Sequence, residues 1–231
     1  MPRRGLRTSL ALAVSPLLLV AACGDSDEGA PTSPEDALAE AKANLDDTSG
    51  LTLELSTDSL PDGVDGILRA SGVGTHAPAF DGDLEVSVSS LSLEVPVVAV
   101  DGLVYAKLPF TTQFKEIEPD DYGAPDPAAL MDSTSGISSW LTAAEGVEEG
   151  EQKRDGDKVV TTYTGTLPGS AVVDVIPSAS TKADFAATFS VDDDGFLTAA
   201  EVSGPFYGDT GVVDYTIALS DYGSDKDITR P

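Results

Sequence analysis

The spacing of apolar residues changes twice along the chain. Residues 10–20 are a nearly unbroken apolar run. From Pro34 onward the apolar positions Leu38, Ala41 and Leu45 fall on one face of a helix. Ser33 suits the N-cap, Pro34 the first helical position, and Glu35 and Asp36 the positive end of the helix dipole. The pattern predicts a helix ending near Asp47–Gly50. Beyond it the period drops to two: Leu51, Leu53 and Leu55 alternate with Thr52, Glu54 and Ser56, as a half-buried strand requires. A loop with Pro61, Gly63 and Gly66 follows, and then a second strand over 67–75.

Residues 83–95 carry the most information. Leu84, Val86 and Val88 alternate with Glu85 and Ser87, and Leu91, Leu93 and Val95 alternate with Ser92 and Glu94. The apolar parity shifts between Val88 and Leu91. A two-residue turn at Ser89-Ser90 accounts for the shift and pairs Val88 with Leu91, Val86 with Leu93 and Leu84 with Val95 on one face. Ser-Ser is not a favoured tight-turn pair, and Glu85 would face Glu94, so a bulge in one long strand is the alternative. Asp101-Gly102 is a stronger turn signal, between Val97–Val100 and Leu103–Leu108. Its first arm, VVAV, is apolar on both faces, which predicts cover on both sides by helices or by a bound apolar ligand.

Residues 116–150 interrupt the alternation. Asp126-Pro127 and the AALM that follows read as a short helix, and ISSWLTAAE after Gly136 as another, with Trp140 and Leu141 inward. A charged linker at 148–157 precedes strands at 158–167, 184–191, 196–203 and 212–220, and 169–175 fits a further short helix. Phe185, Ala187, Phe189 and Val191 alternate cleanly, as do Val213, Tyr215, Ile217 and Leu219. Eight or nine antiparallel strands with three or four helices predict an α+β fold: one curved antiparallel sheet with helices on its concave side.

The first apolar run acquires meaning from its flanks. Arg3, Arg4 and Arg7 precede it, Ala21 and Ala22 follow it, and Cys23 is the one cysteine of 231 residues. This order is a secretory signal peptide, and the run is shorter than the roughly 20 residues a transmembrane helix needs. Val20-Ala21-Ala22-Cys23 fits the lipobox at which bacterial lipoproteins are acylated on Cys and cleaved before it. Residues 1–22 are thus the signal peptide, 23–33 the acylated Cys23 with a tether, and 34–231 the folded domain. Export by the Sec or the twin-arginine route stays open. Two acyl chains on one residue hold a protein to a membrane without spanning it. Residues 24–33, GDSDEGAPTS, have the composition of a disordered tether reaching at most about 36 Å.

Charge then narrows the partners. Removing three arginines with residues 1–22 takes the formal charge from −27 to −30. Such a chain has no basic surface for nucleic acid and is repelled by anionic membrane surfaces. Candidate catalytic chemistry is sparse. The one histidine, His76, lies in a loop sequence, and G-x-S-x-G elbows, Cys/His zinc clusters and glycine-rich phosphate loops are absent. The stretch from Ser190 to Glu201 imitates a Ca²⁺ loop, with Asp192, Asp194 and Glu201 at ligand positions and Gly195 at the sixth. Its first position is Ser and its flanks alternate with period two, so a hairpin turn at Asp192–Gly195 is the reading adopted. No enzymatic activity, metal or cofactor is expected.

Several segments resemble the LppX/LprA/LprF/LprG group of mycobacterial-type envelope lipoproteins. They are the lipobox, Val100–Leu108 (VDGLVYAKL), Asp126–Leu130 with Gly136-Ile137, and Leu219–Gly223 with Thr229–Pro231. The resemblance spans nearly the whole chain after Cys23. It implies a half-barrel sheet, like that of the LolA/LolB carriers, wrapping helices around a large apolar cavity. It further implies binding of multi-acyl lipids or glycolipids, transport across the envelope from the outer face of the plasma membrane, and a major-facilitator transporter as a partner. By the same resemblance the cavity wall falls to Leu84, Val86, Val88, Leu91, Leu93 and Val95, with Phe185, Phe189, Tyr215 and Ile217. The residue pattern alone fits equally a structural or interaction lipoprotein with a filled core and no cargo.

Overall fold

The computed structural model describes residues 33–231 apart from Gly123 and the Asp120 side chain. The signal peptide assigned to 1–22, Cys23 and the tether as far as residue 32 lie outside the described residues. Residues 31–231 form a compact unit by themselves. Helix α1 (Pro34–Asp47) begins with the Ser33 hydroxyl accepting from the Asp36 backbone N–H at 3.1 Å, and it buries Ala37, Leu38, Ala41 and Leu45. Six strands follow: β1 (Gly50–Ser56), β2 (Gly66–Thr75), β3 (Ala79–Val88), β4 (Leu91–Val100), β5 (Leu103–Ala106) and β6 (Lys115–Ile117). Short 3-10 turns at Pro119–Tyr122 and Pro127–Met131 lead to α2 (Ile137–Ala143). Then come β7 (Glu145–Asp155), β8 (Lys158–Pro168), α3 (Gly169–Val175), β9 (Asp184–Asp192), β10 (Leu197–Gly204) and β11 (Val213–Ser220).

All eleven strands join one open, antiparallel sheet in the order β6-β5-β4-β3-β2-β1-β11-β10-β9-β8-β7. Strand β1 is central. One meander runs from it to the β6 edge, and a second runs back from β11 to the β7 edge. The two edges are consecutive in sequence, so the chain between them, with both 3-10 turns and α2, crosses a face of the sheet. Directly opposed residues in an antiparallel ladder share a face. One such row runs Tyr163, Phe189, Ala200, Ile217, Leu55, Ala70, Leu84, Val95, from β8 to β4. A single apolar face therefore extends across nearly the whole sheet.

Over β7–β10 that face is covered by α1, α2 and α3. Trp140 of α2 is buried, and its indole N–H donates to the Ala171 carbonyl at 3.2 Å. Phe206 packs edge-on against both Phe185 and Tyr215, with centroids 5.0 Å away in each pair. Gly204 makes room for this cluster: a Cβ there would stand 2.1 Å from the Phe185 ring. In the other half, Gly72 and Gly82 pair across β2 and β3, and a Cβ on either would meet the Phe80 ring within 2.8 Å. Phe80 therefore lies flat against bare backbone.

Three expectations change. The sheet has eleven strands rather than eight or nine, because β6 and β7 were not visible in the pattern. The charged linker assigned to 148–157 is most of β7 and its turn into β8. Val147 is the one buried residue of β7; along the rest of this edge strand both faces meet water and need no apolar alternation. The outer face of VVAV is covered by the chain's own loops and C-terminal segment rather than by a helix. Val98 and Val100 pack with Ala79, Tyr105, Phe114 and Ile228. The segment after β11 brings Ile228 there, tied by Lys226 to Asp81 at 2.8 Å and by Arg230 to Asp101 at 3.1 Å.

The hairpin alternative is settled in favour of the turn. Ser89 and Ser90 take φ values of 50° and 64°, and Val88 pairs with Leu91, Val86 with Leu93 and Leu84 with Val95. Glu85 does face Glu94, but the Arg69 guanidinium and the Ser92 hydroxyl both bind the Glu85 carboxylate.

Candidate functional site: an apolar groove

Over the β2–β6 half of the apolar face the cover is the 3-10 turn Pro127–Met131, which packs on β2, β3 and β4, and the irregular chain before it. There the sheet and the crossing segment enclose an open groove of about 520 Å³. Its floor is Ile67 of β2, Leu84, Val86 and Val88 of β3, Leu93, Val95 and Val97 of β4, Val104 and Ala106 of β5 and Ile117 of β6. The opposite wall is Pro119, Tyr122, Ala124, Pro125 and Pro127. Three prolines within nine residues deprive this wall of ladder donors, so it lies beside the sheet without joining it. The volume is within the range of small-molecule sites, about 300–1,000 Å³.

The lining is chemically plain. Its charged side chains are two carboxylates, Asp65 and Asp121; no lysine, arginine or histidine lines it. At one corner β2 bulges between Ile67 and Arg69, which takes Ile67 out of register. Tyr207 and Tyr215 satisfy its backbone: the Ile67 N–H donates to the Tyr207 hydroxyl at 3.2 Å, and the Tyr215 hydroxyl donates to the Ile67 carbonyl at 2.6 Å. The two hydroxyls are 2.7 Å apart. Burial, with Tyr207 beside it, pushes the Tyr215 hydroxyl far above the ordinary tyrosine range. These polar groups bond one another and offer little to a guest.

Behind the groove is a smaller apolar cavity of about 50 Å³, which shares Ile67, Leu84, Pro125 and Pro127 with it and reaches Trp140, Ile176 and Ile217. The residues singled out from the sequence are therefore divided. Leu84, Val86, Val88, Leu93 and Val95 line the groove, and Ile217 lines the small cavity. Leu91 does not line either; it sits past the groove's end and is 65% exposed. Phe185 and Phe189 are buried in the core cluster that includes α1–α3, away from the groove; Tyr215 belongs to the same cluster and reaches the groove's corner only through its hydroxyl, on Ile67 and Tyr207. They share the sheet face with Leu84, but helices fill the space above them. Val97, Val104, Ala106, Ile117 and the proline wall were not anticipated. The two-sided apolarity of VVAV and the proline spacing were the available signals.

The Ca²⁺-like stretch is a hairpin turn. Asp192 Oδ1 accepts from the N–H groups of Asp194 at 3.1 Å and Phe196 at 2.9 Å, and the Lys158 ammonium sits on Oδ2. Asp192, and then Asp194, raise the Lys158 ammonium to about 12. His76 Nε2 is 2.8 Å from the Leu45 carbonyl, at the end of α1. Among the described residues no cluster of three or more His, Cys, Asp or Glu side chains could hold a metal ion.

Comparison with known proteins agrees with this architecture. The crystal structure of LprF from Mycobacterium bovis superposes with a TM-score of 0.69 at 13% identity, covering 88% of this chain and 99% of that one. LppX from Mycobacterium tuberculosis gives 0.63 at 17% identity, with 85% and 98% covered. The lipoarabinomannan carrier protein LprG of Mycolicibacterium hassiacum is 26% identical over 234 aligned positions, 98% of this chain and 97% of LprG. The family model of the LppX_LprAFG lipoproteins matches residues 33–228, and the chain belongs to that family.

Proposed function

We propose that this protein is a lipid carrier of the cell envelope. Acyl chains of a multi-acyl lipid or glycolipid occupy the groove, and Cys23, acylated, holds the protein to the outer face of the plasma membrane. The observation that carries this reading is an open groove walled by aliphatic side chains on a protein whose other half is packed solid. Removing alkyl surface from water is favourable by roughly 25 cal/mol per Å² and has no directional demand, so one groove accepts chains of varied structure. A relative named for carrying lipoarabinomannan supports the same class of cargo. The role is binding and transfer, not catalysis: the groove presents two carboxylates and no nucleophile paired with a base. A transporter of the major-facilitator class, delivering lipid at the same membrane face, fits as the upstream partner.

Native mass spectrometry of the non-acylated protein tests the reading. The parent protein retains lipid through purification. Val86→Trp, which projects bulk into open space, loses that lipid while its melting temperature stays within a few degrees. In a close-packed core the same change would be overpacking and would cost about 1–3 kcal/mol. A parent chain that purifies empty and takes up no lipid from vesicles overturns the proposal.

A further inference from the structure

Large apolar side chains left in water are few here, and they are gathered. Among the described residues five are exposed: Val88, Leu91, Phe110, Tyr122 and Val212. Val88 and Tyr122 line the groove. Leu91 is the ladder partner of Val88 at the tip of the β3–β4 hairpin, and Phe110 follows Pro109, itself a lining residue. Four of the five therefore rim a single opening.

Phe110 is the most informative. It is fully exposed, in the turn where the Thr111 N–H donates to the Leu108 carbonyl at 3.0 Å. Pro109 takes the second place of this turn and Phe110 the third, with φ of 66°. That third place, with positive φ after proline, is where a type II turn takes glycine, and a bulky residue there is a conformational outlier. The chain thus holds its most exposed aromatic ring in water on a backbone that favours glycine. Folding gains nothing from this arrangement.

We infer that the rim formed by Phe110, Leu91, Val88 and Tyr122 docks on a lipid surface, inserting these side chains at the bilayer interface so that the groove opens against the membrane. The inference rests on the carrier reading for its purpose. Area argues against a protein occupant: a standard interface buries about 800 Å² per partner, while one aromatic side chain supplies about 150–250 Å² at most. Only Phe110 is fully exposed, with Leu91, Tyr122 and Val88 at 65%, 58% and 40%, so the four side chains together stay below that scale. A bilayer requires no matching shape. Charge fixes the kind of surface: with Asp65 and Asp121 at the groove and a formal charge of −27, attraction to anionic headgroups plays no part. Docking is hydrophobic, insensitive to salt, and works on neutral phosphatidylcholine.

Flotation of residues 31–231 with phosphatidylcholine vesicles, at low and high salt, tests this. The parent floats at both. Phe110→Gly and Leu91→Ser, neither in the groove wall, each weaken partitioning roughly tenfold. Phe110→Gly melts no lower than the parent, because glycine suits the turn. Native mass spectrometry run in parallel shows both variants still loaded with lipid. Phe110→Gly floating like the parent overturns the inference, as does a parent that never floats or is released by salt. Sedimentation showing a parent dimer that Phe110→Gly dissolves would assign the rim to a second copy and overturn it too. Loss of carrier function is read separately: an unloaded parent defeats the cargo proposal, whatever the flotation shows.

Discussion

The two halves of the sheet share one apolar face and differ in what lies above it. Over β7–β10, three helices lay down Leu38, Leu45, Trp140 and Val172, and the face becomes a packed interior. Over β2–β6, the chain crosses as 3-10 turns and prolines; Pro127–Met131 packs on β2, β3 and β4, and beside it the face is left open as the groove. The strands of both halves have the same alternation and similar side chains. What separates the core from the groove here is the cover: α1, α2 and α3 over one half, 3-10 turns and prolines over the other.

This contrast predicts unequal responses to the same kind of substitution. Phe189→Ala in the packed half opens a cavity under the helices and costs about 3–5 kcal/mol. Leu93→Ala in the hollow half removes atoms that face open space, and it costs less than about 2 kcal/mol, below the range for packed leucines. Urea denaturation of both variants measures the difference; equal losses would mean the groove is as tightly packed as the core.

The turns of the two halves differ as well. In the packed half the β9–β10 turn is held by a nearly buried carboxylate, and Asp192→Ala leaves the Asp194 and Phe196 N–H groups without partners, a loss of about 1–3 kcal/mol. Calcium leaves the melting temperature of the parent unchanged, because Lys158 already occupies that carboxylate. The same pair has a pH signature. Lys158 is raised from 10.5 to about 12, so its contribution is intact below pH 10.5 and is lost as pH rises through 12. Alkaline melting curves of Lys158→Met are flatter across that window than those of the parent.

The smallest effect belongs to the hollow half. Ser90 holds a φ of 64° that glycine adopts freely, so Ser90→Gly raises stability by about 0.5–1 kcal/mol in thermal melts. A fall would show that the Ser90 side chain, not the backbone, secures the hairpin.

The sequence was most legible where alternation and turn chemistry agreed. Of the two readings open for 83–95, the Ser89-Ser90 turn has the observed register, and the N-cap of α1 and the Asp101-Gly102 turn lie where the sequence puts them. It was illegible where burial is one-sided or absent: β7 carries EGVEEGEQKRD, whose charges read as a linker because an edge strand has no interior to declare. The groove was half legible for a related reason. Alternation says which residues share a face, and Phe185 and Phe189 do share one with Leu84. It does not say that α1 and α3 will cover the phenylalanines and leave Leu84 open. The family resemblance supplied the idea of a cavity; the placement of 118–144 decided where it lies.

The central position of β1 has a kinetic consequence. Its neighbours are β2, which follows it at once, and β11, the last strand of the sheet in chain order. The two meanders are built from local pairings and can form as separate units, but the one strand pairing that joins them is the β1–β11 ladder, where Leu53 meets Leu219. Closing that long loop is the entropically expensive event, so it sets the pace of folding. Until β11 arrives, Leu51, Leu53 and Leu55 lie along an unpaired strand edge open to other chains. A nascent molecule is therefore at its most aggregation-prone just before its final strand is available, and its maturation is governed by the far end of its own chain.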